Sequence, residues 1–94
     1  MLPVVWHPDA EQDLLEIVSF VAEHNLHAAE QLGRLIYDST YILSEYPYLY
    51  KASERKPGWR EMVVHPNYLV FYRVHKEYVQ IDKVAHARQQ YPKR

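Results

Sequence analysis

Ninety-four residues with no cysteine fit one small domain, and they exclude disulfides, thiolate metal sites and cysteine nucleophiles. A formal charge of −1 conceals a segregation, because residues 1–50 carry eight acids against Arg34 alone while residues 51–94 carry ten bases against four acids, balances of −7 and +6. The second half therefore suits an acidic partner or phosphates, unless the two halves only neutralise each other within one fold.

The chain opens on a short apolar run, residues 2–6, that reads as a strand. It has no charged n-region, and no stretch approaches the roughly 18 apolar residues of a membrane span. A soluble, cytoplasmic protein is the expectation. Pro8 then suits the first position of a helix, with Asp9 and Glu11 near the positive end of its dipole. Ala10, Leu14, Ile17, Val18 and Val21 recur at helical spacing, which predicts a helix over residues 8–23. After the break at His24, Asn25 and Leu26, a second stripe of Ala28, Leu32, Leu35, Ile36, Ser39, Ile42 and Leu43 predicts another helix ending before Pro47. The short break argues for an antiparallel helical hairpin. On the back of the second helix Glu30, Arg34 and Asp38 have the spacing of surface ion pairs, and Tyr37 and Tyr41 share that outward side. Two exposed tyrosines one turn apart point to a protein contact.

An aromatic connection, Tyr46-Pro-Tyr-Leu-Tyr50, and a basic loop over residues 51–58 lead to three strands. Trp59-Arg-Glu-Met-Val-Val64 stops at the turn cluster His65, Pro66, Asn67; Tyr68-Leu-Val-Phe-Tyr-Arg-Val74 follows; and Tyr78-Val-Gln-Ile-Asp82 alternates as a half-buried edge strand would. The middle strand is apolar on both faces, with Val70, Tyr72 and Val74 on one and Leu69 and Phe71 on the other beside Arg73. Such a strand needs cover on both sides. There is no phosphate-binding glycine loop, internal repeat or nucleophile elbow. His24 and His27 lack a third ligand, so neither a metal nor another cofactor is expected. Just beyond the last strand, His86, Arg88 and Tyr91 offer a proton donor, a phosphate clamp and a base for RNA cleavage by the 2′-hydroxyl, or else they only pin the tail to the sheet.

The order of these pieces, a short strand, a helical hairpin, the Tyr-Pro-Tyr connection, then Gly58-Trp-Arg-Glu-Met-Val-Val64, Asn67-Tyr-Leu-Val-Phe-Tyr-Arg-Val74 and Val84-Ala-His-Ala-Arg88, resembles the RelE/ParE superfamily of toxins from bacterial type II toxin–antitoxin modules. The likeness spans the whole chain and is nearest to the ParE branch. It implies an α+β fold, with a hairpin of helices on a mainly antiparallel sheet of three or four strands. It further implies a toxin neutralised by a cognate antitoxin that wraps it, with no small-molecule substrate, and a possible larger toxin–antitoxin assembly. RelE-like members are ribosome-dependent mRNA endoribonucleases with basic residues on the open sheet face; ParE-like members inhibit DNA gyrase by binding. In this chain Leu69 and Phe71 occupy that face where positive charge would serve a nuclease, and nearby Met62 stands where a basic residue would help hold the phosphate. The resemblance thus favours gyrase inhibition over RNA cleavage, with a non-toxic antitoxin-binding scaffold as a further alternative. Leu69, Phe71, Tyr37 and Tyr41 are then expected to meet the antitoxin, and Arg60, Arg73, His86 and Arg88 the target. Were the chain a nuclease, Arg60, Arg73, His86, Arg88 and Tyr91 would be its catalytic set.

Overall fold

The computed structural model describes residues 1–88. Strand β1 (Val4–Trp6) leads through the N-cap His7 into α1 (Pro8–Ala22), followed by α2 (Leu26–Ser39), a single turn α3 (Ile42–Glu45), and strands β2 (Arg60–His65), β3 (Tyr68–Val74) and β4 (Val79–His86). The four strands form one sheet in the order β1-β4-β3-β2, with β1 parallel to β4 and the other pairs antiparallel.

Local chemistry sets the helix limits. His7 Nδ1 accepts the Asp9 N–H at 3.0 Å, and Asn25 Oδ1 accepts that of Ala28 at 3.0 Å, so α1 and α2 both begin on a capped turn. The second helix is shorter than its stripe predicts. Ser39 and Thr40 turn their hydroxyls back onto the carbonyls of Leu35 and Tyr37, at 2.6 and 2.8 Å, and the helix stops there before α3 resumes. The expected ion pairs along its back do not form: among the described residues, Glu30, Arg34 and Asp38 make none. The two helices approach closely at Gly33, where an added Cβ would stand 3.0 Å from Val18 Cγ2.

The helices cover one face of the sheet. Ala10, Leu14 and Ile17 of α1, Leu32 and Ile36 of α2, and Leu43 of α3 pack against Met62, Val70, Tyr72, Val79, Ile81 and Val84. The last strand departs from expectation in length and in place. It is an interior strand, since β1 pairs with its outer side at Val79, Gln80 and Ile81. It runs on to His86 because Asp82 is an extra residue opposite the junction of Phe71 and Tyr72. Strict alternation after Ile81 would have sent Lys83 into the core; the bulge sends Val84 there instead.

Beyond Trp6 no strand among the described residues accompanies the outer side of β4, and a side chain takes over. Asp13 of α1 accepts the Val84 N–H at 3.0 Å and pairs with Lys83 Nζ at 3.3 Å. A buried N–H left without a partner costs about 1–3 kcal/mol, so this carboxylate fastens helix to sheet where β1 ends.

The opposite face of the sheet is closed as well. Leu69 is 6% exposed and Phe71 fully buried, in a second cluster with Trp59 and Ala85. Glu61, opposite Phe71 in register, accepts a hydrogen bond from Ser53 Oγ at 2.6 Å, and Ser53 Oγ in turn accepts the Arg55 N–H at 3.0 Å. Gly58, at φ +88°, then completes a turn in which Trp59 N–H reaches the Lys56 carbonyl at 3.2 Å. That turn delivers the Trp59 ring onto Phe71, with centroids 5.2 Å apart, under the Lys56 ammonium at 4.4 Å. The sequence-based expectation that Leu69 and Phe71 form an open surface for a partner therefore does not hold in the folded chain. The 51–58 loop supplies the second cover that a two-faced apolar strand requires.

Candidate partner-binding surfaces

On the outer side of the helical hairpin Tyr37 and Tyr41 remain exposed beside a half-buried Trp6. Trp6 stacks on Tyr37 with centroids 5.2 Å apart and planes at 23°, and Tyr37 meets Tyr41 edge to face at 5.7 Å. Tyr37 and Tyr41 are 43% and 58% exposed, and Leu15 across from them is 58% exposed. Between α1 and these rings lies a groove of about 270 Å³ lined by Trp6, Glu11, Leu14, Leu15, Val18 and Tyr37. The adjacent Tyr41 hydroxyl is the main influence holding the Tyr37 phenol above its ordinary pKa; partial burial and the charges of Glu11 and Asp38 add to it. The surface thus joins apolar rings to an acidic margin. Tyr37 and Tyr41 were expected on this side. Trp6 and Leu15 were not singled out, although Leu15 stood off the core stripe of its helix as a visible anomaly.

The residues expected to meet a target, or to cut RNA, do not converge. Arg60 lies on the helix-covered face, where its Nη1 donates to the Tyr50 carbonyl at 2.7 Å and its guanidinium stacks over Tyr48 at 4.8 Å. Arg73 lies on the other face and is bound to Asp82, whose side chain is 7% exposed and also accepts from Gln80 Nε2 at 2.6 Å. His86 ends β4 opposite Tyr68, whereas Arg60 stands opposite Tyr72. Four residues along β3, about 13 Å, and two strand spacings across the sheet, about 10 Å, separate the two. The His86 ring meets Tyr68 edge to face at 5.4 Å, and its Nδ1 accepts the Arg88 N–H at 3.2 Å. Its groove, about 470 Å³, is also lined by Asp13 and Glu16, whose charges oppose a phosphate. Arg88 is exposed, and Tyr91 lies outside the described residues. Among the described residues no three histidines or carboxylates group as metal ligands, and no helix is long and apolar enough to cross a membrane.

A scan against protein families finds the ParE toxin of the type II toxin–antitoxin system parDE, matched over residues 4–91. The chain belongs to the ParE toxin family. Solved structures share the ParE-like fold at low identity. A chromosomal ParDE toxin–antitoxin system from P. aeruginosa superposes with a TM-score of 0.80 at 19% identity, over 92% of this chain and 96% of that one. A conserved hypothetical protein of Helicobacter pylori, HP0894, reaches 0.58 at 15%, over 93% and 96%. A chain of the E. coli DinJ–YafQ complex reaches 0.50 at 13%, over 92% and 93%. No curated protein matches the sequence of this ParE family member.

Proposed function

We propose that this ParE family toxin inhibits DNA gyrase by binding it in the cytoplasm, performs no chemistry of its own, and is neutralised by a cognate antitoxin that covers the aromatic face of the helical hairpin. The observation that carries this reading is the dispersal of the cationic residues. Arg60 and Arg73 point to opposite faces and are each tied to a neighbour, Arg60 to the Tyr50 carbonyl and Arg73 to Asp82, and His86 shares its groove with two carboxylates. Stabilising a cleaved phosphodiester requires donors aimed together at one developing charge. What the surface offers instead is exposed Leu15, Tyr37 and Tyr41 grouped around the half-buried Trp6 ring, of the kind that anchors protein contacts.

The test is to induce the toxin without antitoxin while following DNA and protein synthesis, and to add the purified toxin to gyrase supercoiling a plasmid. The expected result is early arrest of DNA synthesis and loss of supercoiling, both relieved by the antitoxin. Full-rate supercoiling in excess toxin, or early translation arrest with cut mRNA, would overturn the gyrase reading. A strain that grows normally would identify a scaffold.

A further inference from the structure

The flank of α1 that carries Glu16 and Phe20 has features that neither the antitoxin surface nor the dispersal of the cations uses. Phe20 stands off the core stripe of its helix and is 64% exposed, with the His24 ring edge-on beside it at 5.9 Å. A lone exposed ring means little, but this one lines the groove of about 470 Å³ that also holds His86. Glu16, one turn before Phe20 on the same face, lines it too. Its carboxylate accepts the Gln12 side-chain amide at 3.2 Å and meets no cation among the described residues. On the sheet side the Tyr68 ring is flanked by His65 and His86, with centroids 5.6 and 5.4 Å away. Lys83 lines the groove as well and is taken up by Asp13 at 3.3 Å, which leaves Glu16 as the uncompensated charge.

We infer that this groove receives an arginine side chain from a protein partner other than the antitoxin, its guanidinium against the Phe20 ring and its N–H groups on the Glu16 carboxylate. The whole of α1 carries four acids and no lysine or arginine, so this flank attracts a cation and repels a phosphate or carboxylate. A guanidinium is flat and weakly hydrated; it lies on an aromatic face and pairs with a carboxylate through two N–H groups, so one group satisfies both features. An ammonium would satisfy Glu16 but keep its hydration above the ring. An apolar side chain would cover the ring and leave the carboxylate desolvated and unpaired. Setting the antitoxin aside rests on the reading that it covers the aromatic face of the hairpin. Leu15 and Val18, which line the groove on that face, fall on the opposite flank of α1 at about 3.6 residues per turn, so both surfaces can be occupied at once.

The test titrates the full chain, without gyrase, with the N-acetyl methylamides of arginine, of citrulline, which has the same shape without the charge, and of lysine, following backbone amide resonances by NMR. The arginine derivative is expected to shift the signals of Glu16, Phe20 and Tyr68 in a saturable way, and citrulline to bind about tenfold more weakly. Lysine falls between them. Phe20→Ala and Glu16→Gln should each weaken the arginine derivative about threefold at the wild-type melting temperature, while Phe20→Trp keeps or tightens binding. Titration calorimetry should find the antitoxin affinity unchanged in all three variants. Equal binding of the citrulline or lysine derivative, or arginine binding untouched by Phe20→Ala and Glu16→Gln, would overturn the proposal. A loss of antitoxin affinity in Phe20→Ala and Glu16→Gln would overturn it too, since the antitoxin would then be the occupant.

Discussion

Replacing Phe71 by alanine tests the closed lower face of the sheet. Phe71 is fully buried and lies against the Trp59 ring at 5.2 Å. A buried phenylalanine removes roughly 150–200 Å² from water, and at about 25 cal/mol per Å² this is worth about 4 kcal/mol. Alanine recovers part of that, but the cavity it leaves adds a cost, and measured phenylalanine-to-alanine changes in cores run about 3–5 kcal/mol. For a chain of this size about 4 kcal/mol lowers the melting temperature by roughly 15–30 °C. It is also a large share of the roughly 5–15 kcal/mol that holds a small domain folded. Urea unfolding followed by tryptophan fluorescence reads this directly, since Trp59 sits on the altered site. A midpoint shift equivalent to less than about 1 kcal/mol at unchanged slope would show that the 51–58 loop does not cover this face in solution. In that case Leu69 and Phe71 would again be candidates for partner contact.

Three further outcomes follow from the same geometry. Asp13→Ala should cost about 1–3 kcal/mol by stranding the Val84 N–H, whereas Asp13→Asn, which keeps an acceptor oxygen, should cost less than half as much; equal costs in urea melts would assign the effect to the Lys83 ion pair. Tyr37→Ala together with Tyr41→Ala should weaken the antitoxin complex by about 2 kcal/mol, near thirtyfold, without lowering the melting temperature, as titration calorimetry and thermal melts would show. Burial raises the Tyr72 phenol above its ordinary 10.0. The unfolded chain therefore releases that proton first, so the stability it confers is complete below about pH 10 and is lost as pH climbs from there through the folded value. Tyr72→Phe should flatten this alkaline decline in urea midpoints measured from pH 9 to 11, and an unchanged slope would exclude Tyr72 as its source.

Pro8 with Asp9 announced the start of α1, and the 3.6-residue recurrence of Ala10, Leu14 and Ile17 announced its buried side, because both signals are local. The alternation through β3 showed that two covers were needed. It did not show that Ser53, Glu61 and Gly58 would fold the following loop into one of them, since that depends on a register set only when β2 pairs with β3. The bulge at Asp82 was hidden for a similar reason. It is a mismatch between neighbouring strands, and the partner Arg73, which takes up the Asp82 carboxylate, is supplied from across the sheet. Of the surface residues, Tyr37 and Tyr41 were visible from helical spacing alone. Trp6 belongs with them through packing between a strand and a helix 31 positions apart in the chain, which spacing cannot reveal.

The pairing of Val4 with Val79 joins the first strand to the last across 75 positions. A ribosome making this chain therefore releases almost all of it before the interior strand has its neighbour. Loop closure over such a span is costly and precedes the contacts that offset it. A product broken off within β4 lacks part of the strand with which both β1 and β3 pair.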